Sequence, residues 1–310
     1  MACGAAPTTS SSPQATRAAP AGPPPAAFQT LQISPDGRSV ALDIDGANAN
    51  IWIHEFGRGG MTRLTLEWSN NFGVWTPDGT RIAFSSARGG RRNLFWQASD
   101  GSGKAEPLTS TDRLQSGGSW SPDGKLLLFT EQNPRGGRDL WVLDRAQGTP
   151  RAFLQTPFDE FAANFSPDGR FIAYVSDEAG QAEVYVQPFP GPGRKWRIST
   201  DGGGLPVWAR SGRELFYRRG DAMMSVEVTT APSFAVKTPR VLFKYTSSSG
   251  FDVSPDGQRF LMIGAAPDPA SPPMIRLGLI AEKSRPARAY RIKPLSLGGV
   301  APGIQISPSG

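Results

Sequence analysis

Repetition of one tetrapeptide constrains the fold of this chain more than any other feature. Ser34-Pro35-Asp36-Gly37 recurs as Thr76-Pro77-Asp78-Gly79, Ser121-Pro122-Asp123-Gly124, Ser166-Pro167-Asp168-Gly169 and Ser254-Pro255-Asp256-Gly257. A worn copy, Ala209-Arg210-Ser211-Gly212, fills the one gap in the series. The closing glycines stand at 37, 79, 124, 169, 212 and 257, a period of 42 to 45 residues. A fixed period of that size marks a propeller, in which one repeat is one four-stranded blade. Each residue type suits a type I turn. Serine opens it, proline presets the second place, aspartate bonds back to the backbone, and glycine accepts the positive φ that follows.

Short apolar or β-branched runs surround each turn, as strands require. A first strand leads in and ends on Ile33, Trp75, Trp120, Phe165, Trp208 or Val253. Those large residues are expected to fill the space between neighbouring blades. A second strand follows the turn. A third begins on a polar residue and carries an aromatic near its centre, as in Asn50-Ile51-Trp52-Ile53 and Asp139-Leu140-Trp141-Val142. The fourth is weaker and often holds a cation, as in Thr62-Arg63-Leu64-Thr65 and Arg197-Ile198-Ser199-Thr200. No amphipathic stretch is long enough for a substantial helix. The expected fold is all-β: a six-bladed β-propeller of four-stranded antiparallel blades over residues 28–293. Ring closure is open, because no strand precedes Phe28 to complete the last blade. Ala289-Tyr290-Arg291-Ile292 is the candidate for its outer strand.

The turn, the second strand and the polar-aliphatic-aromatic third strand resemble the WD40-like repeats of TolB-type β-propellers over about residues 28–283. The resemblance extends to propellers appended to bacterial serine/threonine kinases and to those of prolyl-oligopeptidase-type peptidases. It implies an envelope scaffold, or the sensing part of a larger receptor.

Hydrophobic residues make up 38% of the 310-residue chain and charged residues 19%, too apolar for a disordered protein. Residues 1–27 are the exception. They are Ala, Pro, Ser and Thr with almost no large apolar side chain, and read as a flexible tail or tether; 294–310 reads as a disordered tail. Met1-Ala2-Cys3-Gly4 before this polar stretch resembles the start of a mature bacterial lipoprotein, so a lipid anchor at Cys3 and an extracytoplasmic setting, periplasmic or at the cell surface, are expected. No apolar run reaches the roughly 20 residues of a membrane span. The net charge of +6 is spread along the chain with no basic tract, so nucleic acid is not an expected partner. One cysteine and one histidine, Cys3 and His54, exclude a Cys/His zinc site, and neither metal nor cofactor is expected. A monomer is expected.

The turn aspartates Asp36, Asp78, Asp123, Asp168 and Asp256 are explained by the turn itself. Function is expected on the opposite face, where loops vary. Two groups stand out there. Arg88, Arg91 and Arg92 in one loop, with Arg135 and Arg138 in the equivalent loop of the next repeat, offer forked hydrogen bonds to an acidic ligand. Asn70, Asn71, Gln115, Asp159, Glu160 and Asp201 lead into the inner strands beside the axis. With His54 within an alternating strand and no Gly-x-Ser-x-Gly elbow, a serine hydrolase is not supported. The first reading is a non-catalytic module that binds a protein, peptide or glycan. The alternative is a hydrolase or lyase acting on a carbohydrate or ester through two of Asp159, Glu160, Asp201 and Asp252.

Overall fold

The computed structural model describes residues 28–44, 49–58, 60–245, 250–263, 277–279 and 293–295, and every structural statement below concerns these. The segment 1–27, with Cys3, and the candidate strand 289–292 lie outside them.

The described residues form an all-β propeller of four-stranded antiparallel blades. The first sheet comprises β1 (Phe28–Ile33), β2 (Ser39–Ile44), β3 (Asn50–Glu55) and β4 (Met61–Arg63) in that order. The second comprises β5 (Asn70–Trp75), β6 (Arg81–Ser86), β7 (Asn93–Ala98) and β8 (Glu106–Pro107). The third comprises β9 (Gln115–Trp120), β10 (Leu126–Gln132), β11 (Arg138–Asp144) and β12 (Pro150–Leu154). The fourth comprises β13 (Glu160–Phe165), β14 (Phe171–Ser176), β15 (Glu183–Pro188) and β16 (Trp196–Arg197).

The expected count of six four-stranded blades is corrected to five, because the repeat with the worn turn departs from the pattern. It holds β17 (Gly204–Trp208), β18 (Glu214–Arg219) and an eight-residue β19 (Ala222–Thr229), followed by β20 (Ala235–Val236) and β21 (Arg240–Lys244). β19 is long enough to pair with two partners, β20 at Val228 and Thr229 and β21 from Ala222 to Ser225, giving five strands. The last sheet comprises β22 (Phe251–Val253), β23 (Phe260–Ile263), β24 (Leu277–Leu279) and β25 (Lys293–Leu295). Its outer strand thus comes from the C-terminal side.

The inner strands β1, β5, β9, β13, β17 and β22 contact one another in cyclic order, and β22 returns to β1. Closure is by packing, not by strand exchange. Leu31, Ile33, Leu42 and Ile44 of the first sheet share a cluster with Leu261 and Ile263 of the last. The large residue ending each inner strand lies between sheets, as its position in the repeat suggests. Trp75 packs with Ala41, Ile51, Ile53 and Leu64 of the preceding sheet, and Trp208 with Ala173, Val184, Val186 and Ile198. Each such side chain, 8% exposed or less, contributes about 1.5–3 kcal/mol.

Polar groups stitch the inner strands together. The Trp75 amide donates to Gln32 Oε1 (2.6 Å), the Phe165 amide to Ser119 Oγ (2.8 Å), and Asn164 Nδ2 to the Pro206 carbonyl (2.9 Å). At the seam between the last sheet and the first, the Ile33 amide donates to Asp252 Oδ2 (2.7 Å).

The five intact turns share one geometry. The opening hydroxyl donates to the aspartate, at 2.6 Å in Ser34–Asp36, Thr76–Asp78, Ser121–Asp123 and Ser166–Asp168. That carboxylate also accepts the amide two residues on, at 3.0–3.1 Å. In Asp36, Asp78 and Asp123 the hydroxyl bond first and the amide bond second hold the carboxyl below its ordinary value. Neighbouring turns also touch. A β-carbon on Gly79 would lie 3.7 Å from Pro35, one on Gly124 3.6 Å from Pro77, and one on Gly37 2.8 Å from Pro255. The aspartates are therefore turn-builders.

Candidate functional site

The face opposite these turns, the mouth, carries the β2–β3 type loops and the loops leading into each inner strand. Five inner strands bulge, β1, β5, β9, β13 and β17. In β5, β13 and β17 the register shifts between Asn71 and Val74, Phe161 and Asn164, and Gly204 and Val207. Each of these three bulges holds a non-glycine residue in the left-handed region: Phe72 (φ 56°), Ala162 (51°) and Leu205 (52°). Such a residue costs of order 1–3 kcal/mol and persists only where its surroundings fix it. Asp43 on β2 supplies that support at Phe72. Its carboxylate, 1% exposed, accepts the Phe72 amide (2.5 Å), the Gly73 amide (3.3 Å) and Thr30 Oγ1 (2.7 Å). Burial pushes Asp43 up to about 6.

The residues that begin β5, β9 and β13 are equivalent: Asn70, Gln115 and Glu160. Each pairs across to its second strand, with Ser86, Glu131 and Ser176 respectively. All three are buried, at 0%, 1% and 1% exposure, so none is an open ligand group. Gln115 is fully engaged. Its Nε2 donates to Glu131 Oε2 (2.8 Å), its Oε1 accepts from Thr109, and Arg113 neutralises Glu131 at 3.0 Å. A small serine opposite the other two leaves one oxygen without a partner in each, Asn70 Oδ1 and Glu160 Oε2. Asn70 Nδ2 donates to the Glu67 carbonyl (2.7 Å). Glu160 Oε1 accepts from Thr156 and, at 3.5 Å, from Ser176 Oγ. Burial, reinforced by the charges of Asp139 and Glu178, pushes Glu160 up to about 7.

The arginine group divides. Arg92 is committed inward, donating to Asn71 Oδ1 and to Ser69 Oγ (2.9 Å). Arg138 clamps Asp159 in a fork, Nε to Oδ1 at 2.8 Å and Nη2 to Oδ2 at 2.5 Å, with its guanidinium 3.8 Å over the Phe161 ring. That fork holds Asp159 below the ordinary carboxylate range. Arg88 lies 5.2 Å over the Phe95 ring, and its Nη1 reaches the Ala105 carbonyl at 3.4 Å. Arg91 and Arg135 are the exposed pair.

The four carboxylates proposed for catalysis have separate settings on three sheets. Asp159 is forked by Arg138 and Glu160 is enclosed. The Asp201 side chain is 78% exposed beside Arg219 at 3.7 Å, and Asp252 is the seam acceptor. His54 is 2% exposed, with Nδ1 3.1 Å from the Gly60 carbonyl. Among the described residues no three His, Cys, Asp or Glu side chains gather to hold a metal, and no helix is long and apolar enough to cross a membrane.

A different feature dominates this face. Leu66 (71% exposed), Trp68 (49%), Leu114 (47%), Phe158 (41%), Phe72 (37%) and Leu205 (37%) present large apolar side chains to solvent. Leu66, Trp68, Leu114 and Phe158 stand in the loops leading into β5, β9 and β13, and Phe72 and Leu205 at the bulges. Trp68 itself is left-handed (φ 66°). Repeat patterning does not single out these residues, since four lie between strands and two at bulges. The available signal is apolar bulk in a loop whose neighbours are polar, as in Leu66-Glu67-Trp68-Ser69-Asn70.

Residues 26–136 match the family described as the TolB beta propeller domain. Among solved structures, a putative TolB from Agrobacterium tumefaciens superposes with a TM-score of 0.61 at 22% identity, over 75% of this chain and 88% of that one. TolB from Acinetobacter baumannii gives 0.60 at 20% identity, over 77% of this chain and 58% of that one. An oligogalacturonate lyase in complex with manganese gives 0.58 at 15%, over 79% and 73%. At these identities the likeness is one of fold, and the propeller is TolB-like.

Proposed function

We propose that this chain is a non-catalytic binding module, a ring of six repeat units that docks a protein partner on its mouth. The observation that carries the reading is the apolar crest of Leu66, Trp68, Phe72, Leu114 and Phe158. An exposed cluster of large apolar side chains marks an interaction surface, and two of these are held in conformations that cost stability. Exposed Arg91 and Arg135 beside the crest favour a partner with an acidic rim. The TolB-like fold supports an extracytoplasmic scaffold or receptor part; a tether through residues 1–27 and a lipid anchor at Cys3 are proposed from their sequence alone. The hydrolase or lyase alternative has weaker support: a fold shared with a lyase, and a carboxyl at Glu160 whose second oxygen is enclosed.

The test is site-specific photo-crosslinking in the source cell envelope, with the reactive side chain at Trp68 or, as a control, at Arg38 on the turn face. Adducts of discrete mass are expected from position 68 alone. Trp68→Ala combined with Leu114→Ala should weaken the captured partner's binding at least tenfold, on the order of 1.4 kcal/mol or more, with the melting temperature unchanged. Equal labelling from both faces would overturn the reading.

A further inference from the structure

The repeat is broken on the face away from the mouth, and two departures from it coincide there. In the worn turn, arginine stands in the proline place and serine in the aspartate place. Arg210 turns away from its neighbouring turn and donates to the carbonyls of Pro35 and, at 3.0 Å, Ser34. The proline-on-glycine contact is therefore missing on both sides, and a β-carbon on Gly212 or Gly257 would meet open space. The second departure is the overlong β19 with its divided outer strand. Between them lies a cleft of about 380 Å³, lined by Ser211, Arg213, Glu214, Arg240, Asp256 and Gly257 among others. That volume is within the range of small-ligand sites.

The intact turns show what this cleft lacks. In two of them a cation two residues after the aspartate pairs with it. Arg38 lies 4.0 Å from Asp36, and Lys125 lies 3.4 Å from Asp123. Arg213 occupies that same place, but its aspartate has become Ser211, whose hydroxyl accepts only the Arg213 amide (3.3 Å). The other lining groups are taken. Arg240 pairs with Glu214 at 3.5 Å and Lys237 with Glu227 at 2.6 Å. Asp256 is held by Ser254 Oγ, the Gln258 amide (3.0 Å) and Arg259 (4.0 Å). Among the described residues, Arg213 has no carboxylate within ion-pair distance.

We infer that this cleft is an anion site, in which a carboxylate or phosphate of a ligand takes the place of the missing turn aspartate on Arg213. A guanidinium offers such groups two parallel donors. The site is independent of the mouth and of any partner there.

The test follows the Arg213 Nε–H resonance in the full chain labelled with ¹⁵N-arginine, assigned through Arg213→Lys. Inorganic phosphate and succinate are titrated separately. A saturating shift at Arg213 is expected, with phosphate alone pointing to a phosphoryl ligand and succinate alone to a carboxylate. Ser211→Asp restores the residue that five other turns carry, so the variant should fold, and it should weaken the response at least tenfold. A shift that never saturates, or one that is unaltered in Ser211→Asp or matched at Arg38, would overturn the proposal.

Discussion

Asp43→Ala is expected to lower the stability of this propeller by about 3 kcal/mol, one of the largest effects of any polar substitution in it. The carboxylate is buried and accepts three hydrogen bonds that tie β1 and β2 to the bulge of β5. Truncation leaves the Phe72 and Gly73 amides without their acceptor, and removes the support for a left-handed phenylalanine. Asp43→Asn keeps one acceptor oxygen and should recover more than half of the loss. Urea unfolding of the three proteins measures this, and chymotrypsin cleavage should rise at Phe72 in the alanine variant alone. If alanine and asparagine behave alike, Asp43 does not hold the bulge.

Glu160→Gln should do the reverse and stabilise the protein, increasingly as pH rises from about 4.5 to about 7. The folded-state value of Glu160 is pushed up to about 7 from an ordinary 4.5. The native state then holds a proton that the unfolded chain has released, so stability falls as pH rises between these values. Every tenfold difference in proton affinity between the two states is worth about 1.4 kcal/mol. The variant, which cannot ionise, should therefore match its parent near about pH 4 and exceed it by about 3 kcal/mol near about pH 8. Asp43, raised to about 6, adds to the parent's decline. Burial lowers the value of His54, which works in the opposite sense. Comparing variant with parent at each pH removes both contributions. A constant difference across the range would mean that Glu160 does not titrate there.

What is legible in the sequence follows from periodicity. Every turn aspartate, the tryptophan or phenylalanine between sheets, and the cation on the fourth strand recur at a fixed place, and the structure gives each recurrence one job. Arg63 Nε donates to the Thr65 carbonyl at 2.8 Å, and Arg197 Nε to the Ser199 carbonyl at 2.9 Å, the same bond in two different sheets. Periodicity is silent where a residue acts alone. Asp43 looks like one polar residue in a strand until Phe72, 29 positions away, is folded against it. Gln115 and Glu160 look alike as polar residues at the mouth. Only the partner across the strand, Glu131 or Ser176, decides which is satisfied. The crest is hidden for the same reason, since exposure of Leu66 or Trp68 depends on what fails to cover it. The number of four-stranded blades is equally hidden, because pattern cannot show that β19 takes two partners.

Closure without strand exchange has a consequence for the order of assembly. Every backbone ladder joins strands near one another in the chain, so each sheet can be complete as soon as its own segment has left the ribosome. The joint between the last sheet and the first, where Asp252 and Ile33 lie 219 positions apart, must wait until the last sheet has been made. Until then the nascent molecule is an open arc, with the apolar flanks of its first sheet uncovered. That interval is when it most needs a chaperone.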